Sequence, residues 1–396
     1  MQIAAAVTAN FYKNSKRHFH SILVRMDYLQ SLYNRIMGLS SQEYGSFSSN
    51  DSLPRKVVAF GNVLLDQTAH LADTQLLERY KLSLNARGEL DVATLTKVTD
   101  EATLDNDSRD PHLGGSALNT VRILKRLGTE PMFFGAVGED KHSETVEDLL
   151  KRDGVECINY RLQKVPDTPT GRCICLVHKD ESALYANIGA SSKFSEDFLR
   201  QIEQEEKAFF LRNAGNKQIF YIEGFFVPHR EEVLTYVVRN YIRGRRRLAL
   251  NLSATYIVKK NYHHILYLAS NAFFLFGNND EFETFRECWG AKSIDDMAVE
   301  LLKQSETPKI LVMTHGGKGV TLITNYQDEL SPPAEVTFEN FNVPRVNNIV
   351  DTTGCGDAFV AAFLHAWLEK RSLSECVRVA SDVAAKVATQ VGCNLP

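Results

Sequence analysis

The sequence predicts an α/β protein: a doubly wound, mostly parallel sheet flanked by helices, with a small β-sheet lid. Three observations carry this expectation. Short apolar runs without polar alternation recur along the chain, as expected of strands covered on both faces. The intervals between them are amphipathic at helical spacing. Two stretches break the rhythm with an alternating pattern suited to a separate sheet.

In chain order, Lys56-Val-Val-Ala-Phe-Gly61 reads as a strand stopping at a glycine. Met132–Val137, Gln218–Ile222, Leu248–Leu252, Ala272–Phe276 and Ile310–Thr314 read likewise. Leu118 to Leu127 and Glu231 to Ile242 are amphipathic crossover helices. Asp66 to Leu95 and Cys157 to Tyr185, the latter with its alternating Gly171-Arg-Cys-Ile-Cys-Leu-Val177, suit antiparallel strands of a lid. Asp100 to Pro111, rich in acids and turn formers, reads as a mobile loop. These elements place one domain at residues 55–396, with lid segments near 66–112 and 157–191. Residues 1–54 differ: Met1 to Met26 carries Lys13, Lys16, Arg17 and Arg25 with no acid before Asp27. That bias is shared with mitochondrial transit peptides and equally fits a flexible extension. Gly45 to Pro54 reads as a linker.

Composition narrows the function classes. The 396 residues are 44% hydrophobic and 24% charged with a formal net charge of -4, which offers no large electrostatic attraction to nucleic acid or anionic membrane. Seven cysteines without a Cys-x-x-Cys pair suggest neither a disulfide framework nor a zinc site. No apolar run nears the roughly 20 residues that span a bilayer. A monomeric cytoplasmic or nuclear protein with no membrane or nucleic-acid partner is expected, with the mitochondrion as a minority reading from residues 1–54.

In a doubly wound sheet ligands bind beyond the carboxyl ends of the strands, and one segment there carries chemistry. Gly354-Cys-Gly-Asp357 opens into the apolar run Ala358–Leu368. Two glycines let successive backbone amides point into one concavity, a nest for anions at the positive end of a core helix. Asp357 could then accept a proton from a hydroxyl attacking a phosphoryl group held there. Read alone, the same residues also suit a tight turn followed by a helix N-terminal acid.

Their company decides. Asp351-Thr-Thr-Gly-Cys-Gly-Asp357, Gly114-Gly-Ser-Ala-Leu-Asn119, Asn278-Asn-Asp-Glu281 and Thr314-His-Gly-Gly-Lys-Gly319 together resemble, in order, four motifs of the ribokinase-like carbohydrate and nucleoside kinases. Gly61–Asp66, Pro169–Cys173, Gly224–Phe226, Asn251–Ala254 and Gly392–Pro396 are similar to the adenosine-kinase branch of that superfamily. The resemblance runs from about Val57 to Pro396. It implies ATP-dependent phosphorylation of the 5′-hydroxyl of adenosine to AMP, with Mg²⁺ as cofactor and with adenosine and ATP as partners. It makes Asp357 the general base and the Gly354, Cys355 and Gly356 amides the anion hole. Asp66, Gly115 and Asn119 would hold the ribose hydroxyls, with Asn62, Gly114, Ser116 and Cys173 completing the nucleoside pocket. Leu64, Leu184, Phe226 and Tyr256 would wall the adenine, although Phe225 and Phe226 both suit a core equally well. Asn278, Thr314, Gly316 and Gly319 would face ATP, and Glu281 would reach the metal through water, while Asn278 also suits a turn cap.

Four places depart from the family pattern. Ser182 stands where a flap arginine is usual, leaving Arg172, Lys179 or Lys318 to compensate. Cys355 replaces an alanine, either as a small filler or as a thiol activated by the helix end. Ser143 replaces a glycine. Arg243-Gly-Arg-Arg-Arg247 is a basic patch or a solvated loop. Two further readings stay open: a kinase for another nucleoside or sugar, and a catalytically weakened nucleoside-binding paralogue.

Overall fold

The computed structural model describes residues 56–84, 86–104, 110–152, 160–179, 181–205, 218–329 and 331–396. The extension and linker read over residues 1–54 lie outside the described residues. So does the middle of the expected 100–111 loop.

The strands are β1 (Lys56–Phe60), β2 (Leu64–His70), β3 (Arg87–Glu89), β4 (His112–Gly114), β5 (Glu130–Gly138), β6 (Tyr160–Val165), β7 (Gly171–His178), β8 (Glu181–Asn187), β9 (Gln218–Glu223), β10 (Arg246–Asn251), β11 (Phe274–Asn278), β12 (Ile310–Thr314), β13 (Val320–Thr324) and β14 (Thr337–Phe341). The larger sheet runs β14-β13-β12-β11-β10-β9-β1-β5-β6. From β12 to β6 every pairing is parallel, and β13 and β14 add an antiparallel edge. The chain winds one way from β1 to β6 and the other way from β9 to β12. The order therefore reverses between β1 and β9, which is where a doubly wound sheet opens its ligand crevice.

Continuous apolarity has the expected cause. Neighbouring residues of β1 go to opposite faces, Val57 and Ala59 into one core, Val58 and Phe60 into the other, and all four are fully buried. The first core also takes the helices Ser116–Arg126, Cys355–Leu368 and Leu373–Val387. The second takes Glu196–Glu205, Glu231–Tyr241, Thr255–Lys260, Tyr262–Asn271, Asn279–Trp289 and Ile294–Lys303. The helix at 355–368 is apolar nearly all round, as read from the sequence, because it lies between the sheet and the helix at 373–387. Trp367 packs edge-on against Phe274 at 5.1 Å.

The small sheet, β3-β8-β7-β2-β4, corrects the sequence reading in two respects. It is mixed rather than antiparallel, since β2 pairs parallel with β7 and β3 parallel with β8. Most of Asp66 to Leu95 is not strand: helices occupy Gln75–Tyr80 and Val92–Leu104, the second opened by Asp91 Oδ1, which accepts the Thr94 amide at 2.9 Å. The lid still has two distinct faces. Ile174, Leu176, Ala183 and Tyr185 form its own small core with Leu95 and Val98. Cys173, Leu184 and Ala186, of opposite parity, face the crevice. Strand β6, expected in the lid, instead extends the edge of the main sheet. Strand β11 begins two residues later than expected.

The basic run at 243–247 is partly structural. Arg246 is buried and donates from Nε to Gln218 Oε1 at 2.9 Å, and the Arg247 guanidinium lies 5.2 Å over the ring of Phe273. Ser143 is buried in the first turn of the helix Lys141–Arg152, its amide donating to Asp140 Oδ1 at 2.9 Å. Among the described residues no helix is long and apolar enough to cross a membrane.

Lys309 shows how this core treats a buried cation. Its Nζ donates to the carbonyls of Ser270 (2.7 Å) and Ala272 (2.6 Å), and to that of Ala269 at 3.3 Å, closing the end of the helix Tyr262–Asn271. Burial lowers its pKa to about 7, while three acceptors at a negative helix end favour the charged form. Replacing Lys309 by methionine strands these carbonyls at a cost of about 1–3 kcal/mol. The expected result is a lower urea midpoint at unchanged m value.

Candidate active site

At the switch point a crevice of about 870 Å³ opens between the carboxyl ends of the main sheet and the lid. The head of the helix Cys355–Leu368 forms its floor. Gly354 has φ of +78°, and a Cβ there would lie 2.3 Å from Cys393 Cβ. Only glycine fits this turn. Asp351 holds it in shape: Oδ1 accepts the Thr353 amide at 2.8 Å and Oδ2 accepts the Gly392 amide at 2.9 Å. The chain's last residues are thereby tied to the anion nest.

Asp357 projects from the first turn into the crevice. Ser116 Oγ donates to its Oδ1 at 2.7 Å and Asn119 Nδ2 to its Oδ2 at 3.0 Å. Both donors stand in the first turn of the helix Ser116–Arg126, which follows directly from β4 because Gly115 turns there with φ of +102°. Burial raises the Asp357 pKa to about 6, against the lowering effect of these two hydrogen bonds and of the Arg87 charge.

Asp66 faces it from β2. Its Oδ1 is buried with no hydrogen-bond partner among the described residues, and burial followed by the nearby Asp357 raises its pKa to about 7. A buried acceptor without a donor is costly, which makes it a waiting site for a ligand hydroxyl. Gly114 serves by lacking a side chain, since a Cβ there would lie 2.0 Å from the Asp66 carboxyl.

Sixteen of the residues singled out from the sequence line this one crevice: Asn62, Leu64, Asp66, Gly115, Ser116, Asn119, Cys173, Leu184, Tyr256, Asn278, Glu281, Thr314, Gly316, Gly354, Gly356 and Asp357. Four do not. Phe226 is fully buried, packed among Phe60 and Phe194. Phe225 takes the expected place, lining the crevice with its ring 6.3 Å from that of Tyr256. Gly114 makes room as described. Gly319 is a backbone position with φ of +132°, where a Cβ would lie 2.5 Å from the Phe341 carbonyl. The Cys355 amide is not free for an anion, because it donates to the Thr352 carbonyl at 3.2 Å. The nest is left to Gly354, Gly356 and the remaining first-turn amides, which a helix start leaves without intrahelical partners. The Cys355 thiol is pushed up to about 11, first by burial and then by Asp351 and Asp357. It is a filler and not an activated thiol.

On the opposite wall Asn278 and Glu281 form a full capping box. The Glu281 amide donates to Asn278 Oδ1 at 2.9 Å, while the Asn278 amide and Nδ2 donate to Glu281 Oε2 (3.0 Å) and Oε1 (2.8 Å). Of the three cations considered for the place of Ser182, Lys318 lines the crevice. Arg172 turns away to Thr96 Oγ1. Arg87, unmarked in the sequence, lines the crevice from β3, paired in register with Leu184. Glu223 lines it as well and is likewise unmarked in the sequence, whereas Asn251 stands in the Asn251–Ala254 segment already singled out. The signal for Glu223 is available: a polar residue directly after an apolar strand core marks a carboxyl-end position.

An anion cradle and an adjacent carboxylate at the switch point of a doubly wound sheet define an α/β phosphotransferase. The pfkB family carbohydrate kinase profile matches residues 89–396, and the chain belongs to that family. Among curated proteins it is similar to adenosine kinase 1 of Arabidopsis thaliana, 28% identical over 357 residues, covering 86% of this chain and 96% of the relative. It is also similar to the adenosine kinase of Saccharomyces cerevisiae, 25% identical over 349 residues, covering 86% and 96%. Among solved structures, Anopheles gambiae adenosine kinase in complex with P1,P4-di(adenosine-5) tetraphosphate superposes with a TM-score of 0.71 at 24% identity, covering 85% of this chain and 96% of that one. Schistosoma mansoni adenosine kinase in complex with adenosine and AMP gives 0.71 at 20% identity, covering 86% and 97%.

The exchange of roles between the two phenylalanines is testable. Phe226→Ala opens a core cavity at a cost of about 3–5 kcal/mol, read in chemical denaturation. Phe225→Ala is expected to leave the denaturation midpoint near wild type and to weaken nucleoside binding by calorimetry.

Proposed function

We propose that this protein transfers the γ-phosphoryl group of ATP to the 5′-hydroxyl of adenosine, giving AMP and ADP. The observation that carries this reading is the meeting in one crevice of Asp357, an Asp66 Oδ1 without a hydrogen-bond partner among the described residues, and an apolar wall. A purine binds mainly by stacking and apolar contact, and Leu64, Leu184, Phe225 and Tyr256 supply that wall. Asp66, with Asn119 beside it, offers the acceptor that ribose hydroxyls need. The relatives named above are adenosine kinases, and one is captured with adenosine and AMP.

With the nucleoside so placed, Asp357 takes the 5′-hydroxyl proton as that oxygen attacks phosphorus and the ADP oxygen departs. Amides at the head of the helix 355–368 receive the charge on the transferring group. The lid closes over the crevice with its own small core intact, excluding the water that would otherwise compete as nucleophile.

The residues present fit Mg²⁺ in an outer-sphere role. Among the described residues no cluster of three or more His, Cys, Asp or Glu side chains could hold a metal directly. The Glu281 carboxylate, fixed by Asn278, keeps lone pairs for metal-bound waters. Mg²⁺ suits such a site because it retains several waters and binds substrate phosphates, and it supplies neutralisation of triphosphate charge. Asn278, Thr314 and Gly316 would face the nucleotide, with Lys318 beside them.

In an assay with ATP, Mg²⁺ and adenosine, Asp357→Ala is expected to lower kcat by at least the roughly 10²-fold typical of a general base. Near-normal turnover would refute its role, and phosphorylation of another nucleoside in place of adenosine would reassign the substrate. The base must be ionised to act, so kcat/KM should fall as pH drops through about 6 and stay level above it until another group titrates.

A further inference from the structure

The crevice wall is braced from behind by a buried cation. Arg230 precedes the helix Glu231–Tyr241 and is fully buried. Its guanidinium lies 4.4 Å over the ring of Phe226, a stacking that fixes the plane in which its N–H groups point. Nε donates to the Ser191 carbonyl at 2.9 Å, and Nη1 donates to the carbonyls of Phe226 at 2.8 Å and Pro228 at 3.0 Å. Nη2 donates to the Ser191 carbonyl and to Asn62 Oδ1, the latter at 2.8 Å. All the donors of the guanidinium are thereby used, and all the acceptors are neutral. Three segments meet on this side chain: the link from β1 to β2, the turn that follows β9, and the turn Gly189–Lys193 through which the chain leaves the lid.

A cation held by neutral oxygens is a costly filler. Burial lowers the Arg230 pKa to about 10, and an apolar side chain of similar volume would serve packing alone at least as well. What the guanidinium adds is direction. Its other bonds go to backbone carbonyls, but one reaches the side chain of Asn62, which lines the crevice. Guanidinium has donors and no acceptor, so it must face the oxygen of that amide. The Phe225 carbonyl only accepts, and it takes Asn62 Nδ2 at 3.0 Å. One orientation of the amide satisfies both neighbours; flipped, it would set donor against donor and acceptor against acceptor. The backbone is held as well, since the Asn62 N–H donates to Glu223 Oε1 at 3.3 Å. Nδ2 carries two hydrogens, of which the Phe225 carbonyl takes one.

We propose that Arg230 is a positioning residue for the nucleoside: it locks the Asn62 side chain so that the amide nitrogen, and not the oxygen, is offered to the ligand. The crevice thereby selects a nucleoside that carries a hydrogen-bond acceptor at that place. The same lock holds Phe225 at the apolar wall through its carbonyl, while the stacked guanidinium keeps Phe226 in the core.

The inference rests on adenosine as the ligand, and the test separates the two readings. Adenosine binding to the full chain is measured by calorimetry, and initial rates with ATP, Mg²⁺ and adenosine are recorded, for wild type, Arg230→Met, Arg230→Lys, Asn62→Ala and the double variant of Arg230→Met with Asn62→Ala. Arg230→Met should weaken adenosine binding by roughly 10-fold, the worth of one well-made hydrogen bond, and raise the adenosine KM in proportion, with kcat and the ATP KM changed less than about 2-fold. In the Asn62→Ala background the same substitution should cost less than about 2-fold, because residues that act through one another are not additive. Arg230→Lys keeps a buried charge for the carbonyls but lacks the planar fork. It should hold a higher urea midpoint than Arg230→Met without recovering adenosine affinity, a separation that a merely structural residue would not show.

Additive losses in the double variant, affinity that recovers in step with the midpoint in Arg230→Lys, or wild-type affinity in Arg230→Met overturns the inference. Failure of both Arg230 variants to fold overturns it too, since the residue is then required by the fold itself. If wild type binds no adenosine, the substrate reading falls and this inference with it.

Discussion

The architecture of this crevice depends on burying carboxyl groups against neutral donors. Asp357 is held by a hydroxyl and a side-chain amide, Glu223 by two backbone amides. An ion pair would fix each acid as a permanently charged partner of limited chemical use. Neutral dipoles instead lower the cost of burial enough to keep the acids inside while leaving their proton affinity high. The result is a group of acids whose pKa values, raised to about 6 and about 7, lie near neutrality, where accepting and releasing a proton are both accessible.

That grouping needs the main-chain topology. The acids come from β2, β9 and the helix at 355–368, far apart in sequence and adjacent only because the strand order reverses between β1 and β9. Close approach is permitted by missing side chains. Gly114 leaves the volume that the Asp66 carboxyl fills, Gly61 the volume beside Glu223, and Gly354 the volume that Cys393 fills from the chain's last residues. A methyl group at any of these positions would push an acid or the anion nest out of register, so the glycines act on chemistry through space and not through flexibility alone.

How much of this was legible in the sequence follows from the range of the forces involved. The parallel core strands were readable because burial on both faces imposes unbroken apolarity, and Ile310–Thr314 was placed to the residue. Asp357, Asp66 and Asn119 were readable through motifs. The lid was read less well: β3 has three residues, and its mixed pairing depends on partners some hundred residues away. The phenylalanine pair at 225–226 was ambiguous in principle, because a 3-10 turn, and not a strand or helix period, decides which ring meets the crevice. Arg87 carried no local signal. Its significance arises from standing opposite Leu184 on the next strand, a fact of register alone.

Cys355 shows how competing terms are ranked at one point in space. A helix N-terminus lowers a thiol pKa, and its position in the first turn invited that reading. Burial acts in the opposite direction, and the carboxylates of Asp351 and Asp357 add to it. The helix end is a partial charge of roughly half a unit, whereas two full negative charges stand nearby, so the thiol stays protonated. The same helix end lines the crevice along Gly354 and Gly356. One helix terminus therefore carries a protonated, inert thiol at Cys355 and turns Gly354 and Gly356 toward the crevice.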